Sequence, residues 1–346
     1  MPTEQRQALL RRLFPSGIPH LWCPLITHYR TDGSLDAERM RSHLRHLSPH
    51  VKGFLIPGST GDGWEMNDNE IRMMLTVAMD AANELDFHLL IGVLKTDAAA
   101  MRAMIESTLA WLKERSGQSD DVEAMMANHV CGFTVCPPQG ADLSQDEIRA
   151  GLESVLQLGV PSSLYQLPQV TENEMAPELV ADLAAKYPNF ILFKDTSGGD
   201  KVAESGLDFG DVFRVRGAEG DYAKWPKAGG GPYNGFLLST ANCFAPQLSD
   251  LLAKLGSGDS TASDELSARL SNCVNELFAT VGDLTFGNAF ANANKATDHF
   301  MAFGADAITH EPPMTHSGNR LPTATLEQAA AILHAHDFLP ELGYFA

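Results

Sequence analysis

The stretch that decides the fold runs from residue 160 to residue 198 and reads VPSSLYQLPQVTENEMAPELVADLAAKYPNFILFKDTSG. It contains two short apolar runs typical of β-strands, at 160–165 and 190–194. Between them, Pro177 opens a segment of helical period, and proline is favoured at the first position of a helix. The two runs end 29 residues apart, close to the ~30 residues of a β-α-β unit. The stretch therefore predicts two parallel strands joined by a helix.

The same unit repeats along most of the chain. Apolar, β-rich runs alternate with segments of helical period, and this pattern is typical of a parallel sheet covered by helices. Asn67 with Glu70, and Ser144 with Glu147, have the spacing of helix capping boxes. We predict an α/β fold, a (β/α)8 TIM barrel. The rival fold, a doubly wound sheet, is disfavoured because this sequence has no G-x-G-x-x-G motif after its first strand. The eight predicted strands lie at 21–26, 52–57, 88–93, 130–136, 160–165, 190–194, 212–217 and 233–238.

The domain organisation follows from where this alternation stops. Residues 1–240 are predicted to form the barrel with an N-terminal extension, and a polar stretch near 113–129 reads as a surface insertion. Residues 241–346 are predicted to form a C-terminal helical extension packed on the barrel. Its predicted helices lie near 243–255, 262–281, 286–303 and 325–336.

Composition excludes several classes of protein. Hydrophobic residues make up 44% and charged residues 20% of the 346, as in a soluble globular protein. The net charge of −19, without a basic cluster, argues against nucleic acid and anionic membranes as partners. The N-terminus is too polar for a signal peptide and no apolar run spans a membrane, so we expect a cytoplasmic protein. Its five cysteines are widely spaced, and we expect reduced, packed thiols.

Lys194 is the first candidate for catalysis. It ends the apolar run of the sixth predicted strand, and barrel enzymes carry their chemistry at the carboxyl ends of the strands. Apolar surroundings disfavour the charged ammonium, and a neutral amine can attack a ketone to form an imine. The alternative is a lysine that only marks where a strand emerges into solvent.

Two further strand ends support this interpretation of Lys194. Tyr165 ends the preceding strand, where its phenol can move a proton, although tyrosine is also a common buried strand residue. Residues 58–62 read GSTGD, so Ser59 and Thr60 offer hydroxyls between glycines that allow close backbone approach. Such a loop suits a carboxylate, although a bare turn has the same composition.

Several motifs in order resemble one known family, the class I aldolases and lyases related to dihydrodipicolinate synthase and N-acetylneuraminate lyase. The resemblance covers roughly residues 18–305. It depends on Thr27 followed by Asp32-Gly33, GSTGD at 58–62, YQLP at 165–168, KDTSG at 194–198 and NGFLLSTAN at 234–242.

This resemblance implies a role for each matching residue. Lys194 corresponds to the lysine that forms the Schiff base, and Tyr165 to the proton shuttle. Ser59 and Thr60, beside Gly58, correspond to the residues that hold the carboxylate of a 2-oxo acid. Thr27 and Leu237 are expected to line the same pocket.

The chain also departs from the family pattern. Gln139, which we expect in the pocket, stands in the Pro137–Gln139 stretch where dihydrodipicolinate synthases have a relay tyrosine. Val170 stands where those synthases place an arginine that holds the second substrate's carboxylate. These two positions argue against aspartate semialdehyde as the second substrate. Lys95 is either a second contact for an anion or a solvated residue at the rim.

The sequence thus predicts a class I lyase that acts on a pyruvate-like 2-oxo acid together with an aldehyde or sugar acid, most readily by aldol cleavage or condensation. Dehydration or hydration of a sugar acid through the same imine remains an alternative, as does a barrel that binds oxo acids without turnover. No cofactor or metal is expected, since His299, His310 and His316 are too scattered for a ligand set. The resemblance implies a homotetramer or homodimer.

Overall fold

The structure, a computed structural model that describes residues 2–345, contains a closed barrel of eight strands. The strands follow one another around the barrel in chain order, and each bound lies within two residues of the predicted one. The prediction of a (β/α)8 barrel is therefore confirmed. The strands are β1 (Leu21–Pro24), β2 (Gly53–Ile56), β3 (His88–Val93), β4 (Val130–Val135), β5 (Ser162–Gln166), β6 (Phe190–Asp195), β7 (Phe213–Arg216) and β8 (Gly235–Leu237).

The helices begin where the sequence carries capping signals. Both predicted capping boxes are formed, at Asn67 with Glu70 and at Ser144 with Glu147. Pro177 is the first residue of its helix, as predicted. The α-helices are α1 (Pro2–Leu13), α2 (Ala37–Leu47), α3 (Asp68–Leu85), α4 (Ala98–Ser116), α5 (Asp121–Ala127), α6 (Gln145–Leu156), α7 (Pro168–Thr171), α8 (Pro177–Lys186), α9 (Lys201–Glu204), α10 (Ala241–Ser257), α11 (Ser260–Ala279), α12 (Ala289–Phe303) and α13 (Thr323–Ala335).

The chain divides into two compact units, and the first unit carries β3 to β8. It consists of Met1–His20, His88–Ala218 and Pro232–Leu237. Its strands pair in parallel from β3 to β8. The N-terminal extension forms α1, which belongs to this unit because the buried Arg6 donates from Nε to the carbonyl oxygen of Phe190 at 2.8 Å.

The polar stretch near 113–129 is only partly a surface feature. Residues 117–120 are exposed, but α5 follows them and buries Ala124 and Met125. The Nδ2 atom of the buried Asn128 donates to the carbonyl oxygens of Leu112 and Ala124, at 3.1 and 2.8 Å. The second half of the predicted insertion therefore packs within the first unit.

The second unit carries β1, β2 and the C-terminal helices. It consists of Leu21–Phe87, Glu219–Gly231 and Leu238–Ala346. The four predicted C-terminal helices are present as α10 to α13. The predicted division into a barrel over 1–240 and an extension over 241–346 remains a prediction, because the compact units interleave along the chain. Three short 3-10 helices in this unit lie at Ser59–Gly61, Lys227–Gly229 and Gly304–Thr309.

The cysteines match their expected state. All five thiols are free and buried: Cys23, Cys131, Cys136, Cys243 and Cys273. Within residues 2–345, none of the helices combines the length and the apolar character that a membrane span requires.

Candidate active site

Lys194 and Tyr165 are neighbours on adjacent strands of the first unit. They are register partners on β6 and β5, and both are buried, with 4% and 2% exposure. The Lys194 Nζ lies 3.9 Å from the centroid of the Tyr165 ring, and the electron-rich face of a phenol ring attracts a lysine ammonium. The structure therefore brings together the two residues for which the sequence predicts catalytic roles.

Gly217, which directly follows β7, leaves the space that the Lys194 side chain occupies. A Cβ atom at Gly217 would lie 2.8 Å from Lys194 Cε and 2.3 Å from Thr196 Oγ1. Both distances are shorter than a normal contact between non-bonded atoms. The Gly217 N–H donates to the carbonyl oxygen of Asp195 at 2.6 Å, which fixes the glycine beside the end of β6. Any side chain at position 217 would therefore displace Lys194 or Thr196.

Cys136 continues the row of residues that contains Lys194 and Tyr165. Val135 of β4 pairs with Leu164 of β5, so Cys136 is level with Tyr165. Burial raises the pKa of the Cys136 thiol to about 12, although the charge of Lys194 acts in the opposite direction. The thiol is therefore protonated at neutral pH and is a small, weakly polar neighbour of the pair.

A buried network of charged and polar groups holds the chain that follows Lys194. Tyr233 donates from its hydroxyl to Asp200 Oδ1 at 2.7 Å, and the same hydroxyl oxygen lies 3.3 Å from Asp195 Oδ2. Arg216 donates from Nε and Nη2 to the two carboxylate oxygens of Asp200, at 2.9 and 3.0 Å. Burial raises the pKa of Asp195. These bonds fix the segment after β6 and leave the Asp200 carboxylate fully paired.

No sequence motif points to a role for Asp200, Arg216 or Tyr233. One signal was present, because Arg216 lies inside the apolar run 212–217 and a buried arginine requires a partner. The sequence does not show which residue is that partner, because Asp200 and Tyr233 lie in other segments of the chain, after β6 and before β8.

The remaining predicted residues of the first unit are Leu237 and Gln139. Leu237 ends β8 and is fully buried. Gln139 is exposed, and its backbone N–H donates to the carbonyl oxygen of Thr96 at 2.9 Å. Val170, in α7, is half-buried. The pocket roles of Leu237 and Gln139 stay predictions.

The loop Gly58–Asp62 lies in the second unit and is tightly packed there. A Cβ atom at Gly61 would lie 2.3 Å from the carbonyl oxygen of Leu25, and one at Gly58 would lie 2.8 Å from Pro24 Cβ. The Thr27 hydroxyl donates to the carbonyl oxygen of Gly61 at 2.6 Å. The two glycines therefore allow the close backbone approach that the sequence predicted.

Ser59 and Thr60 occupy the turn of this loop. Thr60 is buried and Ser59 is half-buried. The Trp64 Nε1 donates to Ser59 Oγ at 2.9 Å, and the Asn288 side chain donates to the Ser59 carbonyl oxygen at 3.1 Å. Thr27, Gly58, Ser59 and Thr60 are thus brought together in one unit, while their contact with a substrate stays a prediction.

Asp62, the last residue of the loop, is paired with a lysine from α12. Lys295 Nζ donates to Asp62 Oδ2 at 2.7 Å, and the two side chains are 1% and 2% exposed. The Tyr29 hydroxyl donates to the same oxygen at 3.0 Å. Burial lowers the pKa of Lys295, and the Asp62 carboxylate opposes that shift. No sequence motif includes Lys295, although a lysine within a buried helix is itself a signal.

His28, His43 and Asp298 form a second buried group in this unit. Their potential metal-ligating atoms lie within 4.8 Å of one another. The protein's own contacts already use most of these atoms. His28 Nε2 lies 3.1 Å from His43 Nδ1, His43 Nε2 lies 2.8 Å from the Asn242 carbonyl oxygen, and Arg39 donates to Asp298 at 2.8 Å. An adjacent arginine also disfavours a cation, so the group fits an ion-pair network better than a metal site.

A cavity of about 520 Å³ adjoins this group within the second unit. Its volume is in the range of small-molecule sites. Buried Arg39, Lys295 and Asp298 line it together with Arg30 and Glu311. Because side chains of both signs line the cavity, charge alone assigns no ligand to it.

Comparison with curated proteins finds relatives of low identity. An uncharacterized DapA-like lyase of Rhizobium meliloti is 25% identical over 172 residues, which cover 49% of this chain and 51% of the relative. A 4-hydroxy-tetrahydrodipicolinate synthase of Mycolicibacterium paratuberculosis is 23% identical over 284 residues, which cover 80% of this chain and 85% of that enzyme. The chain spans about half the length of the first of these relatives and of a synthase of Stenotrophomonas maltophilia.

Solved structures share the fold at still lower identity. A dihydrodipicolinate synthase of Bacillus anthracis has a TM-score of 0.71 at 14% identity, over 92% of this chain and 98% of that chain. YagE, a prophage protein of E. coli K12 that belongs to the dihydrodipicolinic acid synthase family and was solved in complex with pyruvate, has a TM-score of 0.70 at 19% identity. That match covers 93% of this chain and 99% of YagE. At these identities the likeness shows the fold alone.

A family model also matches part of the chain. Residues 129–290, which include Tyr165 and Lys194, match the family model described as the dihydrodipicolinate synthetase family. This match confirms the resemblance predicted from the ordered motifs.

Proposed function

We propose that this protein is a class I lyase in which Lys194 forms an imine with a pyruvate-like 2-oxo acid. The observation that carries the proposal is the buried Lys194–Tyr165 pair, with Nζ 3.9 Å from the ring centroid. A buried lysine amine beside a phenol has both groups that imine chemistry needs, a nucleophile and a carrier of protons. The family match supports the same class of reaction.

The proposed reaction is aldol cleavage, or its reverse, at the carbon next to the imine. The Lys194 amine adds to the C2 carbonyl, and loss of water gives an iminium ion. Tyr165 takes the proton of the C4 hydroxyl, the C3–C4 bond breaks, and its electron pair moves into the iminium, so an aldehyde leaves and an enamine remains. Proton return to C3 and hydrolysis then release the 2-oxo acid and restore the amine.

We propose that the loop Gly58–Asp62 of the second unit binds the carboxylate of the 2-oxo acid. The hydroxyls of Ser59 and Thr60 hold the substrate carboxylate, and Gly58 and Gly61 let the backbone of the loop pack closely. Hydrogen bonds to a carboxylate are charge-assisted and therefore strong. No cofactor takes part in these steps. The cytoplasmic location and the homo-oligomer remain predictions.

Pyruvate is the first substrate to test, because it is the ligand in the YagE complex. The protein is incubated with pyruvate and sodium borohydride, and the adduct is detected by intact mass and located by peptide mapping. We expect one reduced pyruvate on Lys194 and none on a Lys194→Ala variant. Lys52→Ala, which removes an exposed lysine, is the matched control and should form the adduct at the wild-type rate.

Two outcomes would overturn this proposal. An undiminished adduct in Lys194→Ala, or one mapped to Lys95 or Lys295, would reassign the imine. Adduct formation without turnover of any aldehyde or sugar acid in a substrate screen would favour a barrel that binds oxo acids only.

A further inference from the structure

We propose that Lys295 is a positioning residue, which acts through Asp62 to fix the carboxylate-binding loop and to cancel the negative charge behind it. This inference rests on the proposed function, because it assumes that Ser59 and Thr60 hold the carboxylate of the 2-oxo acid. Lys295 lies in α12, 233 positions along the chain from Asp62.

Several contacts restrain the Lys295–Asp62 ion pair. Lys295 Nζ donates to Asp62 Oδ2 at 2.7 Å and to the Met314 carbonyl oxygen at 3.1 Å. The Tyr29 hydroxyl donates to the same Asp62 oxygen at 3.0 Å, and the Lys295 Nζ lies 4.6 Å from the centroid of the Tyr29 ring. The ammonium is thus held by two acceptors and one ring face, and the whole pair is buried.

Asp62 transmits this restraint to the turn that carries the hydroxyls. It caps the Ser59–Gly61 turn in the left-handed conformation, with φ of 61°, and its N–H donates to the Ser59 carbonyl oxygen at 3.3 Å. A non-glycine residue in this conformation is uncommon and needs support from its surroundings. The bonds from Lys295 and Tyr29 to the Asp62 carboxylate supply that support.

Charge gives the pair a second effect on the loop. Asp62 is two residues from Thr60, so an uncompensated Asp62 carboxylate would repel the carboxylate of a bound substrate in a site of low dielectric constant. The Lys295 ammonium neutralises this charge at 2.7 Å. The lysine therefore favours substrate binding without contacting the substrate.

The test measures pyruvate affinity and chemistry separately. Borohydride trapping over a range of pyruvate concentrations gives the concentration for half-maximal adduct formation and the maximal rate. We expect Lys295→Ala to raise the half-maximal concentration about 10- to 100-fold, the range for losing a charge-assisted interaction. The maximal rate should change less than about 3-fold, because Lys194 and Tyr165 are untouched.

A second variant at this site is needed in case Lys295→Ala does not fold, and a third variant serves as the control. Lys295→Ala leaves a buried carboxylate unpaired, which is strongly destabilising. The double variant Lys295→Met, Asp62→Asn removes both charges and retains similar volumes, so it should fold. It should still bind pyruvate more weakly, because the bond from Lys295 that holds the turn is lost. Lys254→Ala removes a half-buried partner of Asp250 and serves as the control, with unchanged affinity.

Chemical rescue gives a readout that a merely structural role would not move. Lys295 lines the cavity of about 520 Å³, so a small amine can reach the space left in Lys295→Ala. Ethylammonium or propylammonium should lower the half-maximal pyruvate concentration of this variant and leave that of the wild type unchanged. The uncharged analogue propanol should not do so.

The outcomes separate the two proposals. If the wild type forms no adduct at Lys194, the proposed function fails. If the wild type forms the adduct, and the double variant folds with wild-type pyruvate affinity, the positioning role of Lys295 is wrong. A lowered maximal rate at unchanged affinity would also overturn it.

Discussion

Two buried lysines of this protein both lie over a tyrosine ring, but they lie in different elements of the fold. Lys194 and Lys295 are 4% and 2% exposed, and each ammonium lies over a tyrosine ring, at 3.9 Å from the Tyr165 centroid and 4.6 Å from the Tyr29 centroid. Lys295 also has the Asp62 carboxylate at 2.7 Å. Lys194 is on a strand, whereas Lys295 is inside α12.

The ion pair with Asp62 suits Lys295 to a structural role. A carboxylate in contact favours the protonated form of an amine, and a protonated amine cannot attack a carbonyl. Burial lowers the pKa of Lys295, but the hydrogen bond and charge of Asp62 oppose the shift. The imine is proposed at Lys194 because this residue lies near the end of a barrel strand beside Tyr165, and a positioning role is proposed for Lys295 because of its ion pair with Asp62. The two tyrosines provide a way to test this distinction.

The largest expected effect comes from removing the hydroxyl of Tyr165. Tyr165→Phe should retain the fold and part of the imine formation, but should lower turnover by a factor of about 10² to 10⁴, the range for a positioned proton carrier. Turnover is measured by proton NMR as exchange of the C3 hydrogens of pyruvate in D2O, which requires only the imine and a proton carrier.

Tyr29→Phe is the matched control for this change, because it removes the hydroxyl from the ring beside the other lysine. It should weaken pyruvate binding and leave the maximal exchange rate within about 3-fold of the wild type. If Tyr165→Phe exchanges at nearly the wild-type rate, the Tyr165 ring only packs, and the proton moves through another group. Equal losses in both variants would contradict the distinction between the two lysines.

The next largest effect concerns which second substrate reacts with the imine proposed at Lys194. Val170 stands where the resemblance places an arginine in dihydrodipicolinate synthases, and loss of a charge-assisted contact to a carboxylate costs about 2 to 5 kcal/mol. We therefore expect condensation of pyruvate with aspartate semialdehyde to be about 30-fold to several thousand-fold less efficient than in a true synthase. A coupled assay measures the efficiency.

Val170→Arg sharpens this prediction, since the half-buried position is in α7, a short helix directly after β5. The variant should gain efficiency with aspartate semialdehyde but not with an uncharged aldehyde. A wild-type efficiency within about tenfold of a true synthase would show that another cation, such as Lys95, already binds the second carboxylate.

The two lysines also show how much of the molecule could be predicted from sequence. Strands are local patterns, so the eight apolar runs predicted the barrel and placed Lys194 and Tyr165 at the ends of adjacent strands. The loop Gly58–Asp62 was visible for the same reason, because its glycines and hydroxyls are consecutive. These features need only short-range information.

The partners of the buried charges could not be predicted in this way. Lys295 and Asp62 are 233 positions apart, and Arg39 and Asp298 are 259 positions apart. The helical period indicates that one face of α12 is buried, but it does not indicate which carboxylate that face meets. The partner in each pair is set by how distant elements pack, and sequence reasoning therefore identified no more than a charged residue in an apolar helix.

The smallest expected effect is on stability rather than on catalysis. It concerns His299, which is in α12 with Lys295. Burial lowers the pKa of His299 to about 4 from 6.5, and His299 Nε2 lies 2.8 Å from the Ala307 carbonyl oxygen. Above pH 6.5 the imidazole is neutral in both the folded and the unfolded chain. As the pH falls toward 4, the unfolded chain takes up the proton first, so the free energy of unfolding decreases with acid.

His299→Gln removes this titration and retains a group that can donate to the Ala307 carbonyl oxygen. Between pH 7 and pH 4.5, the variant should lose about 2 to 3 kcal/mol less stability than the wild type. Denaturant unfolding at the two pH values measures this difference, and His50→Gln, at an exposed position, should lose as much as the wild type. An unchanged loss in His299→Gln would mean that the other buried histidines of the second unit, among them His28 and His43, carry the acid sensitivity.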